Sequence, residues 1–212
     1  MSIIKRGIKK VFRLLGITQR AKYRFVDSTA DVGEGIEVYN KDNLVMEENT
    51  NISPDSVIMN TRAKFIMKKN SGAAIGLLVV TGNHMDLLGK LGKQVSDLDK
   101  DNSPNPKRYD KDIVVEEDVW LGARVTLLYG TYIKRGAIIG AGSVVRTTIP
   151  PYSIVIGNPA KVIGFRFTPE ELKTHESNIY PEDERLNILE YEKYYNKYFE
   201  KRITTISKFI SI

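Results

Sequence analysis

The stretch that decides the fold runs from Val115 to Pro150 and reads VEEDVW LGARVT LLYGTY IKRGAI IGAGSV VRTTIP in groups of six. The first position of each group is always aliphatic. The fifth position is never charged, and in most groups it is small or β-branched. The first positions hold Val115, Leu121, Leu127, Ile133, Ile139 and Val145, and the fifth positions hold Val119, Val125, Thr131, Ala137, Ser143 and Ile149.

A period of six matches neither the 3.6-residue period of a helix nor the two-residue period of a long strand. It matches short strands joined by corners, which wind into triangular coils that stack through parallel pairing. The first position then points inward and the fifth fills a tight corner. A β-sandwich or a βαβ sheet is the alternative, but its turns are usually spaced more widely and less regularly. Glycines suit the corner turns, and they stand at Gly122, Gly130, Gly136, Gly140 and Gly142.

The same period is present but irregular before this stretch. Val32 and Val38 form one pair, and the charged Arg62 falls in a fifth position. A step of 36 residues back from Val115 reaches Val79, which puts His84 and Trp120 in the same sixth position. Residues 85–112 show no period and are rich in Asp, Lys, Gly and Pro. They are predicted to form a loop that leaves a coil corner.

The coils are predicted to end at Pro150-Pro151, and helices follow. Thr168 with Pro169 and two glutamates forms an N-terminal helix signal for residues 169–177, and a second helical run covers 183–199. The chain is therefore mainly β, with three parts. They are a basic amphipathic helical arm (1–26), a β-helix domain (27–167) that carries the loop, and a C-terminal helical region (168–212).

The composition of the chain argues against several classes of partner and site. The 212-residue chain has a net charge of +6, but 8 of its 32 basic residues lie in the first 26 positions, which hold no acid. The rest of the chain is nearly neutral, so we expect no nucleic-acid partner. With no cysteine and two histidines, we expect no metal site. No apolar run reaches the ~18 residues of a membrane span, so a cytoplasmic protein is expected.

Several motifs together resemble the hexapeptide-repeat acyltransferases, and the resemblance covers residues 27–167. It implies a left-handed parallel β-helix, acetyl-CoA as acyl donor, and a homotrimer with active sites between neighbouring β-helices. The sequence is most similar to O-acetyltransferases of sugars and surface polysaccharides and to xenobiotic acetyltransferases, which share a long loop near the active histidine. The motifs are DVWLGA (118–123), GAGSVV (140–145), IPP (149–151), GNPAKVI (157–163) and His84.

The same resemblance implies roles for individual residues. His84, which follows Asn83, would be the general base that takes a proton from the acceptor hydroxyl. The backbone N–H of Ala123 would hold the oxyanion, Asn83 would contribute to the oxyanion site or its wall, and Trp120 is either core or a wall of the site. The loop would form a wall of the acceptor pocket. The residues expected to bind the cofactor are Gly122, Ala141, Gly142, Arg146, Lys161 and Arg166.

Other interpretations remain open. One is acetylation of an antibiotic or of an amino-sugar nitrogen, and another is a non-catalytic trimeric scaffold that assembles through its tyrosine-rich C-terminal helix. His175 is expected to be a solvated residue on a charged helix. The N-terminal arm has two interpretations: it caps an open end of the β-helix, or residues 2–16 hold the enzyme at an anionic membrane surface.

Overall fold

The computed structural model describes residues 23–210, with side chains up to residue 199, and most of the predicted N-terminal arm lies outside them. The described chain winds into a β-helix with three parallel faces. Sheet 1 contains β1 (Phe25–Val26), β4 (Leu44–Met46), β7 (Phe65–Met67), β10 (Ile113–Val115), β13 (Tyr132–Ile133) and β16 (Thr148–Ile149).

Sheets 2 and 3 complete the prism. Sheet 2 contains β2 (Asp31–Val32), β5 (Asn51–Ile52), β8 (Gly72–Ala73), β11 (Trp120–Leu121), β14 (Ile138–Ile139), β17 (Ser153–Ile156) and β18 (Lys161–Phe165). Sheet 3 contains β3 (Glu37–Val38), β6 (Val57–Met59), β9 (Leu78–Val80), β12 (Thr126–Leu128) and β15 (Val144–Val145). Below, edge 1/2, edge 2/3 and edge 3/1 are the corners at which the chain passes from one sheet to the next.

The six-residue pattern is confirmed as the source of the core. All first-position residues from Val115 to Val145 are 0% exposed, and fifth-position residues are at most 3% exposed. These side chains form one continuous cluster along the axis of the prism. Burial of a repeated aliphatic side chain in every strand therefore holds the coils together.

The fourth position of each group has a backbone requirement of its own. Asp118, Arg124, Gly130, Gly136 and Gly142 have φ between 55° and 73°, a region that side chains other than glycine seldom adopt. The other two corner glycines serve a different purpose. A Cβ on Gly122 would lie 2.6 Å from the backbone nitrogen of Ala141, so that glycine is needed because two coils approach closely.

The structure corrects the alignment of coils across the loop. Val79 pairs with Leu127 in sheet 3, and not with Val115, which lies in sheet 1. The 36-residue step assumed two uninterrupted coils, whereas the loop occupies most of that interval. His84 and Trp120 consequently lie in different places around the prism, although they share a sixth position in the pattern.

Both ends of the β-helix also extend beyond the predicted limits. β1 pairs with β4, so the coils begin inside the segment assigned to the arm. β17 pairs in parallel with β14 after Pro150-Pro151, and β18 then returns antiparallel to β17. The two prolines turn the chain between sheets 1 and 2 without ending the coils, because neither lies within a strand.

Helices follow the coils. In the loop, α1 covers Asp97–Asp101, and after the coils α2 covers Pro169–Ile179 and α3 covers Ile188–Ile210. The hydroxyl of Thr168 caps α2, as predicted, by accepting a hydrogen bond from the N–H of Glu171. The prediction of a helix from residue 183 was wrong at its start, because residues 182–184 form a 3₁₀ turn before α3.

The helices pack against the coils at edge 1/2 through a second, aromatic cluster in which Tyr152, Leu172 and Tyr191 are buried. Glu176 is 1% exposed and accepts hydrogen bonds from the Tyr152 hydroxyl (2.6 Å) and from Arg135 (2.9 Å). Burial and this hydrogen bond raise the pKa of Tyr152. His175 is not a solvated residue: it is half-buried, and its ring centroid lies 4.6 Å from that of Phe167.

Candidate functional site

His84 follows β9 at edge 3/1, where the loop leaves the coil. The residues before it pair antiparallel with the end of the loop: the N–H of Asn83 donates to the carbonyl of Tyr109 (2.7 Å), and Lys111 donates to Thr81 (3.0 Å). The N–H of His84 donates to the side-chain oxygen of Asn83 (2.9 Å). Its ring is exposed and has no hydrogen-bond partner among residues 23–199. The backbone at this histidine is fixed, and its imidazole can meet an external proton donor.

A strip of small residues follows edge 2/3. Gly122 donates to the carbonyl of Ile139 (2.8 Å), and Gly142 donates to the carbonyl of Ala123 (2.9 Å). Ala141 and Gly142 are exposed. The N–H of Ala123 has no backbone acceptor within the described residues. This edge therefore combines accessible backbone with an unoccupied N–H donor, which is what a pantetheine arm and an oxyanion would need.

Lys161 lies near the same edge, one turn beyond Gly142. The Gly157 N–H donates to the Ser143 hydroxyl (3.1 Å), and Ala160 donates to the carbonyl of Val144 (3.0 Å). These bonds fold residues 157–160 over the end of the strip, and Lys161 is exposed directly after them. Five of the predicted site residues thus lie along one edge: Gly122, Ala123, Ala141, Gly142 and Lys161.

The two arginines expected at the cofactor lie elsewhere. Arg146 is exposed and follows β15, which puts it at edge 3/1, on the same side of sheet 3 as His84. Arg166 lies at edge 1/2, where it donates to Asp118 (2.7 Å) and to the carbonyl of Gly136 (2.8 Å). Its guanidinium also packs against the rings of Tyr152 and Phe167. Arg166 reaches these partners because β18 returns antiparallel to β17 and so ends at edge 1/2.

Trp120 is 50% exposed on the outer face of sheet 2, so it is not part of the core. Its ring lies over Gly72 of the neighbouring strand. A Cβ at Gly72 would come within 3.1 Å of the indole Cζ3 and within 2.7 Å of Oδ1 of Asn51, so a larger residue there would crowd both side chains. The sequence analysis missed Gly72, although a glycine inside a strand often marks such a close approach.

His84 and Ala123 lie at two different edges of one prism. The full width of sheet 3, represented here by β12, separates edge 3/1 from edge 2/3. Within one chain, the described residues therefore do not assemble the predicted base and the predicted oxyanion donor into one site. The separation is a direct result of the triangular coil, since each edge faces a different direction.

The loop is tied to the coils by a group of ion pairs centred on Arg62. This side chain contacts Asp97 (3.6 Å), Asp101 and Asp110 (3.0 Å). In the sequence, Arg62 stands out only as an exception to the six-residue pattern. Within the loop, hydrogen bonds from Lys90 and Ser96 lower the pKa of Asp99 to about 2. The loop also exposes three leucines, Leu88 (103%), Leu91 (72%) and Leu98 (68%).

Among the described residues, no group of three or more His, Asp or Glu side chains is arranged to hold a metal ion. No helix in the described part of the chain has the length and apolar character of a membrane span.

Comparison with known proteins supports the same assignment of the repeats. Residues 112–147 match the family model of the bacterial transferase hexapeptide (six repeats). A hexapeptide-repeat acetyltransferase from Vibrio cholerae O1 biovar eltor, solved in complex with acetyl coenzyme A, has a TM-score of 0.52 at 21% identity and covers 66% of this chain and 69% of its own. The fold is thus the left-handed parallel β-helix of such hexapeptide-repeat proteins.

Two sequence relatives match short stretches of the chain. A chloramphenicol acetyltransferase from Klebsiella aerogenes is 48% identical over 59 residues, which is 28% of each chain. A putative lipopolysaccharide biosynthesis O-acetyl transferase from Escherichia coli K12 is 49% identical over 51 residues, or 24% of this chain and 26% of the relative. The chain spans about a third or less of the length of the first curated relatives that it matches.

Proposed function

We propose that this chain, whose repeats and fold are those of the bacterial hexapeptide transferases, is an acetyl-CoA-dependent O-acetyltransferase. Its acceptor would be a hydroxyl of a sugar or of a surface-polysaccharide precursor, and His84 would act as the general base. The observation that carries this proposal is the exposed imidazole of His84 at the root of the loop. The similarity to acetyltransferases of both saccharides and antibiotics supports the reaction class.

The separation of the two edges supports a homotrimer. Edge 3/1 of one protomer carries His84, and edge 2/3 carries Ala123 and the small-residue strip. A neighbouring protomer packed against sheet 3 would bring the second edge to the first, which a single prism cannot do. Light scattering is expected to give about three times the 24.0 kDa mass of one chain. A protein that is monomeric at the concentration used in the activity assay would contradict a site shared between protomers.

In the proposed reaction, the ring of His84 accepts the proton of the acceptor hydroxyl as its oxygen attacks the thioester carbonyl. The carbonyl oxygen becomes an oxyanion, which the N–H of Ala123 stabilises by hydrogen bonding. When the carbon–sulfur bond breaks, the acetyl group stays on the acceptor. Coenzyme A departs as a thiolate, which needs no strong acid because thiols have a pKa of about 8.5. The imidazolium then returns its proton to the thiolate or to water.

Small residues define where the donor would lie. The pantetheine arm would follow Gly122, Ala141 and Gly142 along edge 2/3, and Lys161 at the end of this strip would meet the phosphates. Arg146 would reach the phosphates from edge 3/1 of the neighbouring protomer. Arg166 has no part in this proposal, because Asp118 and Gly136 already occupy its guanidinium.

A second candidate is acetylation of a xenobiotic or of an amino-sugar nitrogen. The similarity to chloramphenicol acetyltransferase supports it, and so do the exposed leucines of the loop, which would suit an apolar acceptor. A screen that follows release of the coenzyme A thiol would compare chloramphenicol, an amino sugar and neutral oligosaccharides.

A third candidate is a non-catalytic scaffold. This candidate predicts that calorimetric titration with coenzyme A gives no heat of binding.

The decisive test of the mechanism is His84→Ala. We expect a loss of roughly 10²- to 10⁴-fold in the rate of acetyl transfer, with unchanged assembly, because the side chain is exposed. His175→Ala is the control for loss of a histidine elsewhere, and transfer should be retained in it. Activity of His84→Ala within a factor of a few of the wild type would remove His84 from the mechanism.

The N-terminal arm needs a separate test, since residues 2–16 lie outside the described structure. Deletion of these residues separates the two interpretations of the arm. An active variant that no longer sediments with anionic liposomes supports membrane contact. A large loss of thermal stability supports capping of the open coil, and a full-length protein that ignores such liposomes at low salt contradicts membrane contact.

A further inference from the structure

The loop and His84 are held by a short antiparallel zipper, defined here as Thr81–Asn83 paired with Tyr109–Lys111. Its hydrogen bonds join Asn83 to Tyr109 and Lys111 to Thr81, and Gly82 faces Asp110 between them. His84 is the first residue beyond the zipper. The direction in which its backbone leaves the coil therefore depends on the zipper staying closed.

Asp110 connects the zipper to charged groups around it. Its side chain is only 11% exposed and accepts a hydrogen bond from Nε of Arg62 (3.0 Å). Lys100 reaches the other carboxylate oxygen at 3.4 Å. The same oxygen lies over Gly82, where a Cβ would come within 2.7 Å of it. The carboxylate is thus packed between the coil, the loop and the backbone that leads to His84.

Arg62 is the one side chain of this group that belongs to a coil, because it lies between β6 and β7. Its Nε meets Asp110, and its two terminal nitrogens meet Asp97 and Asp101 at the ends of α1. A guanidinium spreads its donors over three nitrogens in one rigid plane, so it can reach three separated carboxylates, whereas a lysine ammonium carries all of its donors on one nitrogen. One residue of the rigid prism therefore fixes both the zipper and the helix of the loop.

We propose that Arg62 is a positioning residue that sets the place of His84 and of the loop on the acceptor side of the site. The role in acceptor binding rests on the proposed function, whereas the contacts with the loop do not. The ion-pair partners of Arg62 within the described residues, Asp97, Asp101 and Asp110, all belong to the loop and none belongs to the donor strip at edge 2/3. Loss of Arg62 should therefore change how the acceptor is used and leave donor binding unchanged.

The first measurement needs no substrate. Hydrogen exchange at the amides of Asn83, His84 and Lys111 should accelerate at least about tenfold in Arg62→Met, because the zipper then opens locally. Arg62→Lys keeps the charge and should recover only part of the protection. Lys64→Met, which removes a nearby cation with no ion pair among the described residues, should exchange like the wild type. Asp110→Asn should act like Arg62→Met, and in the double variant the two effects should not add.

The second measurement uses the acceptor found in the screen. We expect Arg62→Met to raise the acceptor KM about tenfold and to lower kcat, with the KM for acetyl-CoA within about twofold of the wild type. Unchanged exchange in Arg62→Met would overturn the proposal, and so would faster exchange with an unchanged acceptor KM. A wild-type protein inactive toward every acceptor would count against the proposed function, and the exchange measurement would then decide on the role of Arg62 at the loop.

Discussion

The coils from residue 113 to 149 and the loop 85–112 differ in what holds them. Every sixth residue of the coils is aliphatic and fully buried. Of the hydrophobic residues in the loop, Met85 alone is buried, at 7%, and three leucines face outward. Ion pairs and one zipper fix the loop instead. The difference indicates a rigid scaffold that carries a separately anchored loop, because apolar burial stabilises far more than exposed ion pairs do.

The strongest test of this comparison is a cavity in the coils. Leu121→Ala should lower the free energy of unfolding by about 2–5 kcal/mol, since the coil interior has no side chain free to fill the space. Chemical denaturation at a fixed protein concentration measures it. Arg124→Ala is the matched control, expected within about 0.5 kcal/mol because its side chain is exposed. Equal costs for both variants would contradict the assigned inward positions.

Lys134, in the second position of its group of six, is not a suitable control for Leu121. Its ammonium lies 2.6 Å from a carboxylate oxygen of Glu190 on α3, and it also packs over the ring of Tyr194. A substitution there would disturb the contact between the coils and the C-terminal helix. Arg124 has no such partner within the described residues.

A corner of the coils should be less costly to disturb than its interior. Gly136→Ala is expected to cost about 2 kcal/mol or more, from the left-handed backbone and from overpacking against Tyr152. An added Cβ would lie 2.3 Å from that ring. Gly142→Ala has the same backbone strain with nothing within 4 Å, so the difference in unfolding free energy between the two variants isolates the ring contact. No difference would contradict the packing of Tyr152 on this corner.

The loop should contribute least to global stability. Arg62→Met is expected to change the free energy of unfolding by less than about 1 kcal/mol, because its ion pairs are partly exposed. The same variant is expected to release the zipper, so local exchange and global unfolding should respond separately. A loss above about 2 kcal/mol would mean that loop and coils unfold as one unit.

The regular coils could be predicted from the sequence because their stability comes from a local repeat. The aliphatic first positions and the small fifth positions are buried as expected, since each strand repeats the same inward geometry. Prediction was weaker where contacts join distant residues. Arg62 interrupts the six-residue pattern, but its contact with Asp110 does not follow from that pattern. The contact of Trp120 with Gly72 joins two distant residues and produces no repeat in the sequence either. His175 looked solvated because its sequence neighbours are charged, although its ring packs on Phe167.

The sequence by itself determined the coils, the loop and the histidine that precedes the loop. The six-residue repeat identifies the coils, and its interruption identifies the loop. Only the tertiary structure decided which edge of the prism each candidate residue occupies. The edge at which a residue lies depends on how many residues the loop inserts between two coils. That number cannot be inferred from the six-residue repeat. Arg166 lies at edge 1/2 for a different reason, because β18 reverses direction and runs antiparallel to β17, and no local pattern encodes that reversal.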